Sequence, residues 1–201
     1  MKKAMLLVGV GLLSVNVEAI PVDLINNGGF ETGDARGWIS NPHASQSHSC
    51  RRNWNVAASS SVGTGDCISI ANPSVANPLE GNYAVYNSIN GSEHFVDYFD
   101  QRFLAPTEAT TAELKFSTAA VWSLERDSQP YGLEVVFGYG FQQGLGWNIQ
   151  QVFAQSYSGR GSQPWTEFSL DLTDELLSNL GTNVFLSFRG LTQMWVLPAS
   201  A

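Results

Sequence analysis

The stretch Ala112–Ala120 alternates strictly: Leu114, Phe116 and Thr118 fall on one side, Glu113, Lys115 and Ser117 on the other. A period of two is the signature of a strand with one face on a core and one in water, and a helix cannot satisfy it. The same pattern returns at Trp165–Leu172, where Thr166, Phe168 and Leu170 oppose Trp165, Glu167 and Ser169. In Asn183–Arg189 the alternation fails because Phe185 intervenes between Val184 and Leu186, which predicts a strand covered on both faces.

Further runs of apolar, β-branched and aromatic residues lie at Val22–Ile25, Gly37–Ser40, Asn82–Ile89, Phe95–Phe103, Gly132–Tyr139 and Asn148–Tyr157, each bounded by Gly, Asn, Pro or Ser. Many short strands with turns between them predict an all-β fold, a jelly-roll β-sandwich. One short helix is expected at Thr173–Leu180, with Thr173 as N-cap, Asp174 and Glu175 at the positive end of its dipole, and Gly181 just past its end. Strand signals are weakest from His43 to Pro78, so a long loop region at about 43–78 is expected, a natural place for a binding surface.

The N-terminus reads as a leader. Met1-Lys2-Lys3 precedes an apolar run from Ala4 to Val17, then Val17-Glu18-Ala19 offers a small-residue cleavage site, so residues 1–19 are expected to be a signal peptide and 20–201 a single β-sandwich domain. The run is too short for a transmembrane helix, which needs roughly 20 apolar residues. The expected destination is secreted, periplasmic or extracellular. The chain carries 10 Lys+Arg and 18 Asp+Glu for a net charge of −8, and losing Lys2, Lys3 and Glu18 with the leader takes it to about −9. So acidic a surface disfavours nucleic acid and anionic membranes as partners. With charged residues at only 14%, the surface must be polar largely through Ser, Asn and Gln.

Cys50 and Cys67 are separated by sixteen residues. In an oxidising compartment they read as one disulfide, a cross-link worth up to about 3 kcal/mol in the chain-entropy model. The alternative, a metal pair, lacks the second pair of ligands that zinc sites use.

The segment Asn26-Asn27-Gly28-Gly29-Phe30-Glu31-Thr32-Gly33-Asp34-Ala35-Arg36-Gly37-Trp38 resembles the N-terminal signature of galactose-binding-like jelly rolls, a superfamily that includes many carbohydrate-binding modules and secreted bacterial proteins, some with Pro-Glu-Pro sorting tails. Pro78-Leu79-Glu80-Gly81-Asn82-Tyr83-Ala84-Val85-Tyr86-Asn87 is similar to a later strand of the same proteins. The resemblance implies a structural calcium held by Glu31, main-chain carbonyls and an aspartate on the last strand. Here no acidic residue follows Glu175, so that aspartate is expected to be missing, the last strand lost or altered, and a sorting tail absent. From the residues alone, Asn27-Gly28-Gly29 supplies positions that tolerate positive φ, Phe30 a core plug, and Glu31 either a calcium ligand or a cap for local backbone N–H groups.

Catalytic motifs are absent from the sequence. His43, His48 and His94 match no zinc spacing, there is no Gly-x-Ser-x-Gly elbow, and the glycine-rich stretch 138–147 reads as a hairpin. Neighbouring acids, Glu93, Asp97 and Asp100, or Glu125 and Asp127, read as exposed loop residues rather than a glycosidase pair. No catalytic residue is assigned.

Aromatic side chains among amides are the more informative pattern. Trp54, Tyr139, Phe141 and Trp147 lie in or beside segments rich in Gly, Asn and Gln, which can offer a flat ring to a sugar face and amides to its hydroxyls. Trp38 and Trp122 read as packing residues. The sequence therefore points to an exported, non-catalytic module binding carbohydrate or another extracellular polymer through these four side chains. The alternative is a structural or assembly protein of the envelope or matrix, and a polysaccharide hydrolase or lyase comes third.

Overall fold

The computed structural model describes residues 22–40, 54–58, 79–87, 96–123, 131–142 and 146–191. Nine strands and one helix follow in order: β1 Ile39–Ser40, β2 Asn55–Ala58, β3 Tyr83–Tyr86, β4 Val96–Leu104, β5 Glu113–Ser123, β6 Tyr131–Gln142, β7 Gly146–Tyr157, β8 Arg160–Asp171, α1 Thr173–Leu177 and β9 Asn183–Leu191. All pairings are antiparallel. A five-stranded sheet runs β1-β4-β9-β6-β7, and β5-β8 and β2-β3 form two further ladders.

Two layers face each other. From the five-stranded sheet Val135, Phe137, Val184 and Leu186 point inward, with Phe99, Phe103 and Phe188 on the same side, because cross-strand partners share a face. From the other layer Leu114, Phe116, Phe168 and Leu170 meet them, with Phe116 edge-on to both Phe153 and Phe188 at 5.3 and 5.4 Å. The protein is an all-β sandwich, and the alternation of β5 and β8 puts the expected residues in its core.

Strand β9 is buried on both faces over Val184–Ser187, as the broken alternation predicts. Strand β8 extends back to Arg160 through Pro164, which has no N–H to give a ladder. The register slips there, Thr118 pairing Thr166 and Ala120 pairing Gln163, so an extra residue on β8 takes the proline out of the hydrogen-bonding pattern.

The segment 22–38 plugs one end of the sandwich and is held by two polar clamps. Buried Gln101 accepts from the Asn26 N–H at 2.6 Å and donates to its carbonyl at 2.7 Å, satisfying both groups of one backbone residue. Beside it Trp38 stacks on Phe99 at 4.7 Å and 3°, and Phe30 and Trp54 pack on the same ring at 5.8 and 5.5 Å. Each such aromatic pair adds about 0.5–1.5 kcal/mol beyond burial.

Several expectations are corrected. Val22–Ile25 is not a strand, because its backbone turns into the Asn26 clamp. The region 43–78 is not all loop: Asn55–Ala58 pairs with β3, a segment too short and too poor in β-branched residues to signal itself. Within Asn27-Gly28-Gly29 positive φ is taken by Asn27 (52°) as expected but by neither glycine, and Phe30 (58°) takes it where its ring turns inward onto Phe99. Thr173 is the first residue of α1 rather than its cap, since its hydroxyl is taken by the Ala112 N–H at 3.0 Å. Asp171 instead accepts the Thr173 N–H, and the Thr173 side-chain and backbone bonds lower its pKa. The helix stops at Leu177, and Gly181 (φ 68°) lies in the following turn, donating to the Pro106 carbonyl.

Candidate functional site

Gly138 is the origin of the site. It sits mid-strand in β6 opposite Phe185 of β9, and a Cβ there would lie 1.8 Å from the Phe185 ring. Glycine therefore lets Phe185 lie flat over the outer face of the five-stranded sheet, the face turned away from the core. Trp147 of β7 meets Phe185 edge-on at 5.2 Å, Phe141 packs against Trp147 at 5.2 Å, and the Arg102 guanidinium lies 5.8 Å over the Trp147 ring. Phe141 is 58% exposed and neighbouring Ile149 51%. An open aromatic platform results, propped from below by a buried phenylalanine and bordered by a cation that reinforces it.

The β6-β7 hairpin decides which aromatic residues join the platform. Strict alternation would put Tyr139 and Phe141 on one face. Gly140 has φ 61° and the register slips between Tyr139 and Gln142, an extra residue on β6 that reverses the facing. Tyr139 consequently points inward, packing against the cluster of Ala105, Phe137, Leu176 and Val184. Phe141 goes out with Trp147.

A polar row continues across the same face. Asp100 of β4 bonds Ser187 of β9, the Arg189 Nε donates to the Ser187 hydroxyl at 3.3 Å, Arg189 pairs with Glu134 of β6 at 3.4 Å, and Gln151 of β7 donates to the other Glu134 oxygen at 2.7 Å. Burial pushes the Asp100 carboxyl above the ordinary range, against the Ser187 bond and the charges of Arg189 and Arg102. Its Oδ1 is buried and makes no hydrogen bond among the described residues. Asp97, its neighbour in the sequence, lies on the inner face, so these two acids do not converge.

Of the four aromatic residues expected to bind, the structure brings together Phe141 and Trp147. Trp54 is on the inner side, its indole N–H donating to the Asp97 carbonyl at 3.2 Å. Phe99, on which it stacks, pairs with Phe188, while Tyr139 pairs with Val184, four residues away along β9 or about 13 Å. Cys50, Cys67, His43, His48, His94, Glu93, Glu125 and Asp127 lie outside the described residues. Phe185, Arg102 and the polar row were not read from the sequence. Gly138 was the available sign, since a glycine inside an apolar strand marks a close approach.

Glu31 joins the two segments that carry the family resemblance. Its carboxylate accepts the backbone N–H of Asn82 at 2.9 Å and of Tyr83 at 3.2 Å, and the Asn82 side-chain amide at 3.2 Å. The Asn82 backbone bond leads in holding its pKa below the ordinary carboxylate value. A Cβ on Gly81 (φ 69°) would come 2.1 Å from Glu31 Oε1, so the turn must carry glycine there. N–H donors surround this carboxylate, whereas calcium is held by six to eight oxygens, so the arrangement does not fit a calcium ion at Glu31. Among the described residues no group of three or more His, Cys, Asp or Glu converges as metal ligands.

A shallow pocket of about 180 Å3 lies beside the Glu31 clamp, lined in part by Phe30, Leu79, Tyr83 and Trp165. It is below the roughly 300 Å3 at which ligand pockets begin and holds none of the platform residues.

No known protein family matches the chain, and no curated protein does. Among solved structures it is similar to a Stig cyclase from Fischerella sp. TAU, at 16% identity and a TM-score of 0.39, over 84% of this chain and 87% of that one. It is also similar to an endo-xylanase of Clostridium thermocellum that includes a family-22 carbohydrate-binding module and is complexed with xylohexaose, at 14% identity and a TM-score of 0.31, over 86% of this chain and 28% of that one. Superpositions this loose carry nothing about ligand or reaction.

Proposed function

We propose that the protein is an exported, non-catalytic binding module whose ligand is a neutral carbohydrate polymer held on the outer face of the five-stranded sheet. The observation that carries this reading is the exposed Phe141–Trp147 platform continuing into a polar row. A pyranose has one apolar face that fits a ring and hydroxyls at its rim that need donors and acceptors. Trp147 supplies the first, and Gln151 and Arg102, on the same outer face, supply the second. A net charge of −8 favours a neutral polymer over a polyanion.

The site's acids support binding over catalysis. Glu134 has one oxygen on Arg189 and the other on Gln151, which ties it into the polar row. Asp100 is two strands from Glu134 and offset by two residues, about 12 Å between Cα atoms from the sheet spacings, with Arg189 between them. Export and a jelly-roll topology belong to the same proposal and rest on the leader-like N-terminus and the Asn26–Trp38 signature. Titration of the folded chain with soluble neutral polysaccharides tests the reading: binding is expected, and Trp147→Ala and Phe141→Ala are expected to weaken it at least tenfold with the fold intact. Equal binding by both variants refutes the platform.

A further inference from the structure

The two layers end on the same side in β7 and β8, neither of which has a second partner among the described strands. An unpaired edge invites another strand, and proteins blunt it with charge, proline or bulges. Strand β8 carries all three: Arg160, Glu167 and Asp171, Pro164, and the bulge at that proline. Strand β7 is different. Gly146–Tyr157 contains no charged residue and no proline, whereas β4, β5, β6, β8 and β9 each contain at least one charge. Its single blunting device is an extra residue at Val152, where Val135 pairs Phe153 and Val136 pairs Gln151. That leaves Gly146–Gln151 as a regular, exposed edge in a chain of net charge −8.

We propose that two copies of this chain pair antiparallel through the edge Trp147–Gln151 of β7, about a two-fold axis at Ile149. This register is self-complementary. Ile149, 51% exposed, meets its own copy and Asn148 meets Gln150, so apolar falls on apolar and amide on amide, while the Gln151 amide lies against Trp147. Shifting the pair toward Val152 brings the bulge into the ladder and breaks it. No like charges face each other across the seam, which a chain this acidic achieves at few other places on its strands.

Five residues at about 3.4 Å each, along an edge roughly 20 Å deep, cover about 340 Å2 per copy, under half of a standard interface. The dimer is therefore weak, with dissociation constants of about 10–1,000 μM. In it the outer faces join as one sheet of ten strands, and the two Trp147 rings stand about 14 Å apart on the same side. Two platforms at that spacing suit a polymer rather than a single sugar, although the pairing itself does not depend on the carbohydrate reading.

Sedimentation velocity on the mature chain from about 10 μM to 1 mM tests the pairing without any ligand. A reversible monomer–dimer equilibrium is expected. Ile149→Lys, which puts two ammonium groups face to face, is expected to leave a folded monomer, as is Ile149→Glu. An equimolar mixture of the two is expected to restore the dimer, because lysine then meets glutamate across the axis. A wild-type chain that stays monomeric at about 1 mM, a dimer that survives Ile149→Lys, or a mixture that stays monomeric overturns the proposal.

Discussion

Gly138→Ala is the substitution from which the architecture of the outer face can be judged. The added methyl carbon has Phe185 ring atoms at 1.8, 2.3 and 2.4 Å, all far inside contact distance. A ring cannot bend out of the way as a lysine tip does, and this one is held by the edge of Trp147 at 5.2 Å. Phe185 must tilt as a unit and carry Trp147 with it. Overpacking of this kind costs about 1–3 kcal/mol, which in a chain of this size lowers the melting midpoint by about 3–10 °C. The assay is thermal and urea unfolding of Gly138→Ala, Phe185→Leu and the double variant. Phe185→Leu alone is expected to cost about 1–2 kcal/mol as a partial truncation. In the double variant the smaller side chain makes room for the methyl group, so the two losses do not add and a favourable coupling of about 1–2 kcal/mol appears. Polysaccharide binding by Gly138→Ala is expected to weaken although Gly138 offers a ligand no side chain. A midpoint within about 1 °C of wild type, or strictly additive losses, would refute the seating of Phe185 on Gly138.

Gly81→Ala is expected to cost at least the roughly 1–2 kcal/mol of a left-handed alanine, and to be less than additive with Glu31→Gln because both loosen the same clamp; urea midpoints of the two singles and the double check this. Added calcium or chelator is expected to leave the melting midpoint unchanged, and a calcium-dependent rise that Glu31→Gln abolishes would contradict the N–H cradle. The folded pKa of Glu31 lies below its unfolded value, so its contribution is complete above the ordinary carboxylate pKa and lost as pH falls through the lowered one; Glu31→Gln should flatten that part of the acid limb of the stability–pH curve. Asp100 has the opposite sign. Its folded pKa is raised, so ionisation costs stability as pH rises from the unfolded value through the folded one, and Asp100→Asn is expected to stabilise at pH 7 and to have no such advantage below about pH 3.

Much of the sandwich was legible in the sequence because alternation is a local property. Leu114, Phe116, Phe168 and Leu170 could be assigned to the core from their own neighbours, and Phe185 announced a strand covered on both faces. What was illegible depends on register or on distant partners. A period of two cannot say where an extra residue falls, so the bulges at Gly140 and Pro164 were invisible, and Tyr139 was grouped with Phe141. Glu31 finds its donors at Asn82 and Tyr83, fifty-one and fifty-two residues away, and Thr173 was claimed by Ala112 sixty-one residues before it. Phe141 and Trp147, the two expected residues that the structure brings into contact, belong to one hairpin. The rest, Arg102, Phe185 and the row from Asp100 to Gln151, is assembled across β4, β9, β6 and β7, with β4 and β9 about eighty residues apart in the chain.

Isothermal titration of the wild-type chain and Trp147→Ala with a panel of soluble neutral polysaccharides, such as a xylan, a β-glucan and a galactomannan, tests the central claim most directly. The platform predicts saturable binding to at least one of them, weakened tenfold or more in Trp147→Ala while circular dichroism and the melting transition stay cooperative, since buried aromatic anchors typically carry more than about 1.4 kcal/mol of binding. Heat that is the same for both proteins, or none with any polymer, would contradict a carbohydrate-binding face built on Trp147.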